Sequence, residues 1–83
     1  MKIDDLSNLK RGESALVVGI KEDCDIVVRQ RFLDLGFVKG AKVVFENISP
    51  MGNPISYTIH ATQIALRVAD AKFIKIQKIE EDA

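Results

Sequence analysis

From Glu13 to Lys21 the chain reads as a strand. Leu16, Val18 and Ile20 fall on one face and Ala15, Val17 and Gly19 on the other. With apolar residues on both faces, cover on both sides is expected. A charged loop follows, Lys21 to Asp23. Asp25 to Leu35 then takes helical spacing: Val28, Phe32 and Leu35 make one stripe and Ile26 and Leu33 a second, with Arg29 between them. The favoured reading is one broad core-facing surface with Arg29 at its rim; the other leaves Leu33 exposed for a partner. Asp25 suits the N-cap, where its carboxylate accepts from a free amide of the first turn. Gly36 suits the C′ position, which puts Phe37 at C″ and Phe32 at C3, the contacting pair of a Schellman ending.

Val38-Lys39-Gly40 reads as a turn and Ala41 to Ile48 as a second strand. Two prolines around a glycine, in Ser49-Pro50-Met51-Gly52-Asn53-Pro54, form the strongest loop signal in the chain. Ile55 to His60 alternates cleanly, with Ile55, Tyr57 and Ile59 inward and Ser56, Thr58 and His60 outward. Ala61-Thr62 is expected as a tight turn, Gln63 to Arg67 as a short strand with Ile64 and Leu66 inward, and Val68 to Ala71 as a single helical turn. Lys72 to Lys78 is the last strand, with Ile74 and Ile76 alternating against Phe73, Lys75 and Gln77. The tail, Glu80 to Ala83, is acidic and expected to be solvated and frayed.

This order does not fit a parallel sheet, which needs a long crossover between each pair of strands. It fits a mostly β fold: a small, partly open antiparallel barrel of five to six strands, with the one helix plugging an end. The composition agrees, since Ile and Val number 18 against 13 Ala and Leu, and β-branched side chains suit a pleated surface. The 83 residues make one domain, its core about residues 6–78 and its acidic tail 79–83.

Twelve basic and twelve acidic side chains cancel to a net charge of zero. Binding to nucleic acid through counterion release wants a cationic excess, so that class is disfavoured. With no tryptophan and five aromatics, broad stacking platforms for bases are lacking. No run approaches the length of a membrane span, and acids stand near the start where a signal peptide needs an apolar run, so a cytoplasmic protein is expected.

Four segments, spread from about Leu6 to Ile76, resemble the ferrous iron transport protein A family, FeoA. They are Leu9-Lys10-Arg11-Gly12-Glu13, Arg29-Gln30-Arg31-Phe32-Leu33-Asp34-Leu35-Gly36-Phe37, Pro50-Met51-Gly52-Asn53-Pro54-Ile55, and Ile64-Ala65-Leu66-Arg67 continuing through Asp70-Ala71 to Ile74. The resemblance implies an SH3-like barrel and a cytosolic accessory to the membrane ferrous-iron transporter FeoB, whose cytosolic part is a GTPase. Such a protein could sit peripherally at the inner membrane through its partner. The same barrel closes some metal-dependent repressors, so a metal-responsive regulatory domain is the alternative. Lys39 stands where the family often has proline, and Ala61 where glycine is common in the hairpin.

The residues themselves suggest no enzyme. A nucleophile needs a neighbouring base, and nothing pairs the sole histidine, His60, with the sole cysteine, Cys24. The phosphate-cradling glycine loop with its lysine is also missing. Asp23, Cys24, Asp25 and His60 are the donors a transition metal ion could use, but the favoured reading is a solvated loop with a capping Asp25, no metal site and no cofactor. Proline-rich peptide binding needs an aromatic-lined groove, which these few aromatics do not offer. What remains is contact with another protein. Its candidate residues are Arg29, Arg31 and Leu33 on the helix, whose arginines would steer an acidic partner, and Met51, Gly52 and Asn53 in the proline loop. The plainer alternatives are a solvated helix face and a rigid hairpin connection.

Overall fold

The computed structural model describes residues 3–79. In chain order the elements are β1 (Asp4–Asp5), a 3-10 turn (Leu6–Asn8), β2 (Ser14–Ile20), α1 (Ile26–Leu35), β3 (Lys42–Ile48), β4 (Ile55–Ile59), β5 (Thr62–Leu66), α2 (Val68–Ala71) and β6 (Ile74–Ile79). The six strands form one sheet in the order β1-β6-β2-β3-β4-β5, and every neighbouring pair is antiparallel. The sheet wraps a core filled by Val17, Val43, Ile59, Ile74, Ile76 and Tyr57. Leu6 is fully buried, so the 3-10 turn is part of the core. The Tyr57 hydroxyl donates to the Leu6 carbonyl at 3.5 Å, tying β4 to the chain after β1. Burial, with the Asp5 charge as the lesser cause, pushes the Tyr57 hydroxyl up to about 12.

The β1 strand and the 3-10 turn were not expected from the sequence. Their order comes from local bonds: the Asp5 carboxylate accepts from the Ser7 amide at 3.0 Å and also from the Ser7 hydroxyl. The tail, 80–83, lies outside the described residues.

The facing of β2 corrects the expected cover on both sides. Ala15 and Val17 are buried, Leu16 is 39% exposed, and the register against β6 shifts between Val17 and Gly19. That bulge inserts one residue, so Ile20 again points inward. One face of β2 is core and the other, at Leu16, is surface.

The helix differs more. Phe32 is the one buried residue of α1, while Ile26, Val27, Leu33 and Leu35 are exposed. A broad core-facing surface is therefore corrected: α1 rests on the barrel through Phe32, with half-buried Val28 packed against the same core. The reason lies at its C-terminus. Gly36 N–H donates to the Leu33 carbonyl and Phe37 N–H to the Phe32 carbonyl, each at 3.0 Å, and Gly36 takes a φ of +107°. This is the expected Schellman ending, and the Phe32 and Phe37 rings meet edge to face at 6.4 Å between centroids. Phe37 is fully buried, so the pair anchors the helix end while the outer positions stay in water.

The turn between β4 and β5 sits one residue earlier than expected. His60 and Ala61 are its two central residues, with φ of +51° and +61°. Both angles are left-handed, as the two-residue hairpin turn matched to the twist of the strands requires. His60 thus belongs to the turn and not to the outward face of β4.

Candidate partner-binding surfaces

The proline loop joins β3 to β4 and is internally bonded. Gly52 N–H donates to the Ser49 carbonyl at 2.8 Å and Ser49 N–H to the Pro54 carbonyl at 3.2 Å. The Ser49 hydroxyl donates to the Asn53 carbonyl at 2.7 Å and accepts from the Asn53 amide at 3.2 Å. Gly52 has a φ of +82°, and the Asn53–Pro54 bond is cis. None of these bonds uses the Met51 side chain, which is 92% exposed. A fixed backbone that holds out a flexible apolar side chain loses little order on docking.

Asn53 has a further task. Its Oδ1 accepts from the Val68 amide at 3.0 Å. Val68 is the first residue of α2, and Arg67, at the N-cap, supplies no side-chain cap. Asn53 therefore caps α2 from a distance and pins the loop to the segment between β5 and β6. Its side chain is engaged within the protein, which leaves Met51 as the projecting contact of the loop.

On α1 the Asp25 carboxylate accepts from the Val27 amide at 2.8 Å, the expected N-cap. Arg29 is half-buried, and its Nη2 donates to the Lys21 carbonyl at 2.8 Å. It fastens the helix to the end of β2, whereas Arg31 is exposed. Positions two apart on a helix differ by about 200° around its axis, so Arg31 and Leu33, 37% exposed, face different directions. The outward side of α1 holds a shallow depression lined by Ile26, Val27, Gln30, Arg31, Asp34 and Leu35. Within it, Gln30 Nε2 donates to Asp34 Oδ1 at 2.9 Å.

Ile26, which the second stripe put on the core-facing surface, and Val27, which neither stripe includes, are 78% and 74% exposed. Their β-branched pair straight after an N-cap does not continue the spacing of Val28 and Phe32, and that break in period was the available signal. The six expected residues fall into two groups. The C-terminal end of α1 abuts His60 at one end of β4, while the proline loop leads into the other end at Ile55, about 13 Å along the strand.

The metal-donor candidates do not gather. Cys24 is 7% exposed and packs in the core, the Asp25 carboxylate caps α1, Asp23 is exposed, and His60 lies against Gly36. Among the described residues no group of three or more His, Cys, Asp or Glu side chains could hold a metal ion. No helix among them is long and apolar enough to cross a membrane.

Residues 5–78 match the family model of the FeoA domain. A curated relative, the Fe(2+) transport protein A/Fe(2+) transporter FeoB fusion protein of Porphyromonas gingivalis, is 32% identical over 78 residues, which is 94% of this chain and 9% of that protein. This chain therefore spans a small fraction of that relative. Among solved structures, the FeoA-like protein of Clostridium acetobutylicum superposes with a TM-score of 0.87 at 28% identity, covering 100% of this chain and 94% of the other. The FeoA of Stenotrophomonas maltophilia complexed with zinc, described as a prokaryotic SH3 domain protein, superposes with a TM-score of 0.78 at 31% identity, covering 88% of each chain. A manganese-dependent transcriptional repressor shares the fold alone, with a TM-score of 0.82 at 17% identity over 95% of this chain and 38% of that one. The chain is thus an SH3-like member of the FeoA family, whose named relatives tie it to ferrous iron transport.

Proposed function

We propose that this protein is a non-catalytic cytoplasmic accessory of ferrous iron uptake that binds the cytosolic GTPase part of a FeoB-type transporter and supports or regulates transport. The observation that carries the reading is the fused relative, in which a domain similar to this chain and a FeoB transporter share one polypeptide. Two domains joined in one chain meet at a high effective concentration, and a separate chain that does the same work must bind its partner by its own surface. Two surfaces here are suited to that. The proline loop offers Met51 on a rigid frame, with Gly52 and Asn53 shaping it. The outer side of α1 offers Ile26, Val27 and the exposed guanidinium of Arg31, with Leu33 at its flank and Arg29 holding the helix in place.

The reading calls for no resident cofactor and no insertion in the membrane. The metal-responsive regulatory alternative has fold likeness in its support, and fold alone does not carry function. Titration of the purified chain into the isolated cytosolic domain of a FeoB transporter tests the proposal. Saturable binding weakened by Met51→Asp or Arg31→Glu is the expected result. No heat and no cross-link at high concentration would overturn it.

A further inference from the structure

The β5 strand ends the sheet. It pairs with β4 in continuous register, Ile55↔Leu66 through Ile59↔Thr62, and among the described residues has no strand on its other side. The two-residue turn at His60-Ala61 makes Ile59 and Thr62 the closing hydrogen-bonded pair. Hydrogen-bonded and non-bonded pairs alternate from there. Thr62, Ile64 and Leu66 therefore turn their backbone groups to β4, and Gln63 and Ala65 turn theirs away. No hydrogen bond to those outward groups is formed among the described residues.

Natural edge strands carry protection: a proline, a lysine, a bulge or a covering element. The sequence Thr-Gln-Ile-Ala-Leu has no charge and no proline, and its register has no bulge. Gln63 and Ala65 are both exposed. Ile64 points to the core side, yet it is only half-buried where its neighbour Leu66 is buried. An inward residue left half in water marks a flank that the described residues cover incompletely.

We infer that β5 is a self-association edge, where a second copy of this chain adds its own β5 antiparallel about a two-fold axis at Ile64. The geometry selects this occupant. With the axis there, Gln63 of one copy lies opposite Ala65 of the other, and the two residues with outward groups exchange N–H to carbonyl bonds, four in all by symmetry. Ile64 meets its own counterpart and loses its remaining contact with water. Thr62 faces Leu66, so no like charges oppose each other anywhere along the pairing. The contact is far smaller than the ~1,200 Å² of a stable specific interface. The association is therefore weak and concentration-dependent. It does not depend on the transporter-binding proposal.

The test uses the whole chain. Sedimentation equilibrium from micromolar to millimolar protein is expected to show a monomer–dimer equilibrium. Amide exchange followed by NMR is expected to slow at Gln63 and Ala65 as concentration rises, with Thr62, Ile64 and Leu66 already protected at the low end. A double variant, Gln63→Lys with Ala65→Lys, sets like charges opposite each other and should be monomeric, as should Gln63→Glu with Ala65→Glu. Mixed one to one, the two should form a heterodimer, a rescue that misfolded variants could not give. A chain still monomeric at millimolar concentration, a dimer with Gln63 and Ala65 amides unprotected, or a mixture that fails to pair would each overturn the inference.

Discussion

Gly36 and His60 are close neighbours: a methyl group placed on Gly36 would lie 2.8 Å from His60 Cδ2. The backbone requires glycine at the same position, because φ is +107° there. Two independent penalties thus fall on one substitution. Gly36→Ala should cost about 2 kcal/mol or more from the left-handed backbone and the forced displacement of the imidazole, roughly a 10 °C loss of melting temperature in a domain of this size. Adding His60→Ala should recover part of that loss and none of the backbone strain. A thermal double-mutant cycle measures the coupling.

Ala61 holds a φ of +61° in the hairpin turn, where glycine carries no Cβ penalty. Ala61→Gly relieves about 1 kcal/mol of strain and gives back part of it, about 0.4–1 kcal/mol, through a more flexible unfolded chain. A net gain of up to about 0.5 kcal/mol is expected by urea denaturation. Ala65→Gly in β5 has only the entropic term and should destabilise. The opposite signs of two Ala→Gly changes four residues apart are the diagnostic.

Tyr57 gives the protein an alkaline limit. Its folded value of about 12 stands above the ordinary 10, so the folded state holds the phenolic proton longer than the unfolded one. That contribution is whole below pH 10 and is lost as pH rises toward 12, at most about 2.7 kcal/mol for two pH units. Tyr57→Phe should lose less than about 1.5 kcal/mol at neutral pH, for one long hydrogen bond. It should then fall less steeply than wild type between pH 10 and 12 in a denaturant series.

Arg29 and Arg31 look equivalent in sequence and should separate in experiment. Arg29→Ala frees the Lys21 carbonyl and should cost about 1–2 kcal/mol of stability. Arg31→Glu should leave the melting temperature nearly unchanged while slowing association with an acidic partner surface.

Asn53 tests the link between loop and barrel. Asn53→Ala removes the acceptor for the Val68 amide and should cost about 1 kcal/mol, with faster exchange at Val68. Asn53→Asp keeps the acceptor and should behave like wild type.

The helix ending was legible because one motif specified everything about it: Gly36, Phe37 and Phe32 have roles fixed by backbone geometry. β4 was legible for a similar reason, since polar Ser56 and Thr58 left one choice of face. β2 was not, because apolar residues on both faces gave the alternation nothing to choose between, and the bulge after Val17 changed the parity midway. On α1 the apolar residues outnumber what one seam can bury, so their presence could not say which of them would stay in water. The β1 strand has two acids and no hydrophobic period at all. For the candidate surfaces, residue identity singled out Met51, and the structure leaves its side chain exposed. It could not show that Asn53 and Arg29 are held by backbone partners far along the chain.

Cys24 gives this chain a native clock. It is the sole thiol, and at 7% exposure in the core it is shielded from solvent reagents. An alkylating or disulfide reagent can therefore reach it only through an opening of the packing around the start of α1. The rate of thiol labelling on the unmodified protein then times how often that corner breathes, and it can be followed while a partner is added.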